Sequence, residues 1–213
     1  MNSFLSSSFS CPSCKNNLQP MYSSCDWITC PQCGALTEKG NEQQTIKNTL
    51  PGDDASVIQI GTLGTWQHHK FEVTGRIQFG FSDDSYVNWW HLDSGKQSLW
   101  LAESYGSMRI MKEDVLTASI LSVEKMKPGD KIKITEKENF TMNSFATALT
   151  WKTEGELPYK PEDKKFMWIE LTSDVSGFDI HIFDRTQVKA YRGEDVDHQK
   201  ISLTKIRKVN GWS

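Results

Sequence analysis

No run of apolar residues in this chain approaches the ~18 needed to cross a bilayer as a helix, which excludes a helical membrane span. Positive charge is not in excess either. Lys and Arg total 24 against 27 Asp and Glu, a formal net charge of −3, whereas a nucleic-acid-coating domain is strongly basic. The opening stretch Met1-Asn-Ser-Phe-Leu-Ser-Ser-Ser8 has no basic cluster and no apolar centre, so it does not read as a secretory signal. The serine-hydrolase pattern G-x-S-x-G, the zinc-protease pattern H-E-x-x-H and the phosphate-loop pattern are all missing. Long helical periodicity is scarce too: after residue 40 only 113–126 reads as a modest helix. What remains is a chain of 213 residues with 37% hydrophobic content and eight Trp, enough apolar mass for a packed core.

Cysteine is confined to one short segment. All five lie between residues 11 and 33: Cys11-Pro-Ser-Cys14, then Cys30-Pro-Gln-Cys33-Gly34, with Cys25 between them. Two C-x-x-C pairs at this separation match a four-Cys zinc pattern. Each turn points two sulfurs at one centre, and two turns supply the four thiolates of a tetrahedral site. Pro12 and Pro31 fix φ, and Gly34 lets the chain leave in a conformation that a Cβ disfavours. A segment this short buries little core, so the metal supplies the folding energy. Four ligands close the site, making the Zn²⁺ structural rather than catalytic; Cys25 is a spare thiol. A disulfide framework fits poorly with an odd count and no export signal.

Residues 38–56 are polar and turn-rich and read as a linker. Beyond it the period becomes two. Phe71, Val73, Ile77 and Phe79 share one face of a strand, with Gly75 as a bulge or bend. Residues 87–102 read as a hairpin turning at Asp93-Ser-Gly95-Lys, and Met108-Arg-Ile110-Met111 as a further short strand. The pattern then returns. Gly129 precedes Phe140 much as Gly61 precedes Phe71; Phe140-Thr-Met142-Asn-Ser echoes Phe71-Glu-Val73-Thr-Gly; Trp168-Ile-Glu170-Leu171 echoes Trp90-His-Leu92; Phe178-Asp-Ile180-His-Ile182 stands where Leu99-Trp-Leu101 stood. A loop insert, 154–165, separates the second copy's strands. The expected fold is mainly β: a small zinc ribbon over 1–37, a linker over 38–56, and a duplicated small β-barrel or sandwich with copies at 57–127 and 128–213.

No catalytic constellation assembles from these residues. His68, His69 and His91 lack a spaced Cys or carboxylate to complete a metal site and read as surface histidines. Glu103, Glu154 and Glu156 read as solvated acids, the latter two in a loop. Trp66, Trp89, Trp90, Trp100, Trp151 and Trp168 read mostly as core. Not all can bury in so small a domain, and Trp89 and Trp90 are the candidates for an exposed binding patch. Lys200, Lys205, Arg207 and Lys208, interleaved with Ile201, Leu203 and Ile206, read as an edge strand guarded by lysines rather than a phosphate track.

Several of these segments together resemble a known family. They are Ile58-Gln-Ile60-Gly61-Thr-Leu-Gly64, Phe71-Glu-Val73-Thr-Gly75-Arg76-Ile77, Trp89-Trp-His-Leu92 and Trp100-Leu101-Ala-Glu103-Ser-Tyr105-Gly106, with Ala148-Leu-Thr-Trp151-Lys-Thr-Glu154 and Val188-Lys-Ala-Tyr191-Arg192-Gly193-Glu194 as a second half. The chain resembles the bacterial domain-of-unknown-function family 4178, and its four-Cys ribbon is similar to one that members carry. The resemblance implies a cytoplasmic bacterial protein with no established enzyme activity. It also implies a neighbourhood of polyamine-type transferases and membrane-stress proteins. The Trp89-Trp90 pair departs from the family's commoner acidic residue nearby. The reading is thus a non-enzymatic interaction module with a protein partner. Its alternatives are a nucleic-acid binder using the ribbon and exposed aromatics, and a small-molecule binder or accessory subunit.

Overall fold

A computed structural model describes residues 7–52, 54–95, 98–135, 138–197 and 200–208. Most of the Met1–Ser8 stretch and the last residues of the expected second copy lie outside them. The strands β1 (Phe9–Ser10) and β2 (Asn17–Leu18) pair across the first C-x-x-C turn. Around the second turn, β3 (Trp27–Thr29), β4 (Leu36–Glu38) and β5 (Asn41–Ile46) form an antiparallel meander. The expected 38–56 linker is therefore partly strand. Asn41–Ile46 is polar because it is an edge whose side chains are mostly exposed, not because it lacks structure.

Two five-strand runs follow. The first is β6 (Leu63–Trp66), β7 (His69–Gly80), β8 (Tyr86–Asp93), β9 (Ser98–Ser104) and β10 (Ser107–Asp114), each paired antiparallel with the next. A four-residue helix, α1 (Ile120–Val123), is what forms within the expected 113–126 helix. The second run starts with β11 (Lys131–Thr135) and β12 (Glu138–Ala148), detours through β13 (Thr150–Leu157), and resumes as β14 (Phe166–Thr172), β15 (Gly177–Ile182) and β16 (Val188–Asp195). The last described strand, β17 (Ile201–Thr204), pairs with β6, between Lys200 and Lys205. The expected loop insert is thus partly strand: Glu154–Leu157 belongs to β13, which pairs with β7 and then with β3.

The two runs repeat details as well as order. Gly61 and Gly129 both take positive φ, +82° and +93°. The Gly61 N–H donates to the Val73 carbonyl and the Val73 N–H to that of Thr62; the Gly129 N–H donates to the Met142 carbonyl and the Met142 N–H to that of Asp130. Each hinge strand then bulges at the next residue, β7 between Val73 and Gly75, β12 between Met142 and Ser144.

The runs join edge to edge through β10 and β16 and face each other across a shared aromatic interior. Ile77, Phe79, Trp89, Trp100 and Met111 of the first pack against Phe166, Trp168 and Tyr191 of the second. Trp89 and Trp168 meet edge-on at 5.4 Å, an arrangement that sets ring edge against ring face. Each run also has a second core on its outer face, one holding Phe71, Val73, Trp90, Leu92 and Leu101, the other Phe140, Met142, Ile169, Phe178 and Ile180. The sheet curls without closing into a barrel: β12 and β13 are successive stretches of one chain bent at Leu149, whose N–H donates to the Gly80 carbonyl. Because both faces of the central strands are covered, the adjacent pair Trp89 and Trp90 is buried on opposite sides, 1% and 0% exposed. That overturns the expected Trp89/Trp90 binding patch.

Candidate functional site

The two C-x-x-C turns share one backbone design. The Cys11 N–H donates to the Asn16 carbonyl and the Lys15 N–H to that of Cys11; the Cys30 N–H donates to the Ala35 carbonyl and the Gly34 N–H to that of Cys30. Lys15 and Gly34 both hold positive φ, and a Cβ at Gly34 would meet the Asn48 carbonyl oxygen at 2.8 Å. The result brings Cys11, Cys14, Cys30 and Cys33 together, with all four Sγ atoms within 4.8 Å of one another. Cys11 and Cys33 stand 3.8 Å apart, Cys14 and Cys30 3.6 Å, and none is in a disulfide. A tetrahedral ion with ~2.3 Å metal–sulfur bonds imposes a sulfur–sulfur edge of about 3.8 Å. The donor set therefore fits a metal ion. The Ala35 N–H, donating to Cys33, helps draw that thiol down to about 7, towards the thiolate a metal needs.

Cys25 stands apart, buried where the ribbon meets the first run. Its Sγ lies 3.5 Å from Thr74 Oγ1 and 3.8 Å from His91 Nδ1. His91 is not on the surface as expected but 1% exposed, bonded through Nδ1 to Thr74 Oγ1 (2.6 Å) and through Nε2 to Ser98 Oγ (2.8 Å). Burial lowers its pKa to about 4, so the ring is neutral. His68 and His69 are exposed at the β6–β7 turn, as expected. Glu156, expected to be solvated, is 2% exposed; it accepts the Met21 and Tyr22 N–H groups and pairs with Lys39, tying the ribbon to β13. Glu154 pairs with buried Arg76 at 2.9 Å, and Glu103 accepts from Trp90 Nε1 at 2.9 Å. Arg76 also pairs with buried Asp54, and Asn88 donates to both Asp54 and Glu103, so Glu154, Asp54 and Glu103 share one network while Glu156 stands apart at the ribbon. Arg207 is likewise tied, at 3.4 Å, to the buried carboxylate of Asp54.

A concavity lies elsewhere, a groove of about 760 Å³ between β12 and the turn that follows β7. One wall is Ser144–Thr147, the other Phe81–Asp83 with Ser85. Asn143 to Thr147 are five consecutive exposed residues in a strand. They pair with β14 on one side; on the other, no ladder runs along Asn143–Ala148 among the described residues. Phe145 is 54% exposed, and Tyr105, at the β9–β10 turn, is 87% exposed. At the base, Arg109 reaches Asp195 (2.6 Å), Glu170 (3.1 Å) and Asp179 (3.4 Å). Burial pushes the Asp179 carboxyl up to about 7 despite the guanidinium. Sequence reasoning missed this set. The available signal was Asp179 and His181 alternating with Phe178, Ile180 and Ile182, which places polar groups on the interior face of β15.

The family model described as a domain of unknown function (DUF4178) matches residues 59–198. The chain belongs to that family. The matched span takes in β6 to β16, hence the groove, and leaves the four-Cys segment outside. No curated protein and no solved structure matches the chain. No helix among the described residues is long and apolar enough to cross a membrane.

Proposed function

We propose that this protein is a non-enzymatic adaptor that holds a partner protein along the open edge of β12, with a structural zinc ion in the ribbon. The observation that carries the reading is that edge. A strand with unpaired N–H and C=O groups invites pairing, and sheets normally guard such edges with charge. β5 has Glu42, β11 has Lys131 and Lys133, and β17 lies between two lysines, whereas Asn143–Ala148 contains no charged residue and presents Phe145. Four thiols at a tetrahedral spacing, the geometry of closed structural sites, support the zinc reading. We read the two strand runs as copies of one ~70-residue unit, and five free thiols suit a bacterial cytoplasm. Nucleic acid is disfavoured because the groove is lined by four carboxylates against one guanidinium. A small-molecule site is the second reading, favoured by the buried Arg109–Asp179 contact at the groove's base.

A photo-crosslinking residue at position 145 should yield one discrete protein adduct in cells, and Phe145→Lys should release that partner without lowering Tm. Turnover of a small molecule by the purified chain alone, or no protein adduct, would contradict the adaptor reading. Elemental analysis should find about one zinc per chain.

A further inference from the structure

We infer that the strand received by β12 carries a lysine or arginine between apolar residues, its cationic group seated at the Glu170–Asp179–Asp195 end of the groove. The inference rests on the adaptor reading and adds the chemistry of the guest.

The chain supplies a template for such a complex. On β7, the edge beyond the bulge is covered by β13, from Thr150 opposite Gly80 to Gly155 opposite Gly75. That covering strand brings a charge matched to its host: Glu154 meets the buried guanidinium of Arg76 at 2.9 Å. β12 has the same bulge and the same covering strand before it, β11 standing to β12 as β6 stands to β7. Beyond the bulge, no strand covers it among the described residues.

The sign of the charge is reversed in the second groove. Asp83, Glu170, Asp179 and Asp195 line it against the single cation Arg109. Arg109 is shared among three of those carboxylates, the Asp179 side chain being 4% exposed and the Glu170 side chain 35%. Two of the three, Glu170 and the largely exposed Asp195, stay open to solvent beside that one guanidinium, so this end of the groove is acidic. A guest cation would add a further charge to this end, as Glu154 on the covering strand adds a second carboxylate to an Arg76 already paired with the buried Asp54. The flanking positions are apolar: Phe81, Val87, Phe145 and Trp168 line the same groove, suiting the neighbours of a basic residue on an extended strand. The stem of a lysine or arginine is itself apolar and can lie along those rings while its head reaches the acids.

The test uses the full-length, metal-loaded chain and fluorescein-labelled eight-residue peptides, alternating Val and Thr, with Lys, Arg, Gln or Glu at one central position. Fluorescence anisotropy should rank Lys and Arg above Gln by roughly tenfold or more, the worth of one charge-assisted hydrogen bond, with Glu weakest. Glu170→Gln with Asp179→Asn should erase the Lys-over-Gln preference while Phe145→Lys abolishes binding of every peptide; Glu170→Gln alone serves if the double variant melts early. Equal binding of the Lys and Gln peptides would overturn the cationic guest and leave strand docking standing. Butylammonium binding as tightly as the Lys peptide would overturn the inference in favour of a small-molecule cation site. Binding of no peptide, with no protein crosslinked at position 145, would overturn strand docking itself.

Discussion

β7 and β12 begin alike and end differently. Each follows a hairpin, bulges after an apolar residue anchored to a positive-φ glycine, and continues along the shared aromatic interior. β7 is then covered by β13 and, through it, by the ribbon strand β3. β12 runs on with one side unpaired among the described residues. The same local design therefore yields a buried strand where a third segment lies against it and a groove where none does. An edge depends on what the rest of the chain brings to it.

The largest test of this contrast is metal removal. Structural zinc is worth about 10–16 kcal/mol in small finger peptides, and Trp27 and Leu36 of the ribbon share the aromatic core. Chelation, or Cys30→Ser, should unfold the ribbon, lower Tm sharply and expose β13 while β14–β16 keep their protection from hydrogen exchange. For the same reason a chain starting near residue 55 should melt well below the full chain, although the polar 38–56 segment suggests an independent domain. Next is Trp89→Ala, which should cost about 3–5 kcal/mol in chemical denaturation, because this ring touches both runs. Smaller, but specific to the contrast, is Gly75→Ala. A Cβ there would meet the Glu156 carbonyl oxygen at 2.2 Å, so a loss of about 1–3 kcal/mol is expected. The matching change on β12, Ser144→Val, which adds bulk at an exposed position, should stay within about 0.5 kcal/mol. Equal costs would mean that β12 is covered as β7 is.

Much of this was legible in the sequence. The ribbon was, because four thiols at two fixed spacings have one geometric solution. The bulge at Gly75 and the 87–102 hairpin were, because period two and turn residues are local signals. β13 was not: Gly155, Pro158 and Pro161 and the charges around them read as a loop, although Thr150–Leu157 gains its strand partners from residues far away in sequence. Trp89 and Trp90 were legible as core residues, but that both neighbours are buried was not, because period two assumes one wet face and these strands have none. The groove had no local signal, since it is set by the strand that does not lie on β12.

The smallest effect concerns pH. Burial raises the Asp179 carboxyl from 3.8 to about 7 in the folded chain, against the opposing pull of Arg109. The folded state then holds a proton that the unfolded state has lost, so this group's contribution to stability is full below pH ~4 and disappears as pH rises through about 7. Asp179→Asn should therefore gain on the parent progressively as pH rises from 4 through 7, read from urea midpoints across the range.

The account stands most directly on hydrogen exchange at single-amide resolution in the dilute, metal-loaded chain. The amides of Ser144–Ala148 that point away from β14 should exchange near the rate of open chain, while those of Gly75–Gly80 facing β13 are protected to the level of the global core. Protection of the two sets to the same degree would show that β12 is already covered in the free protein, and would contradict the open edge.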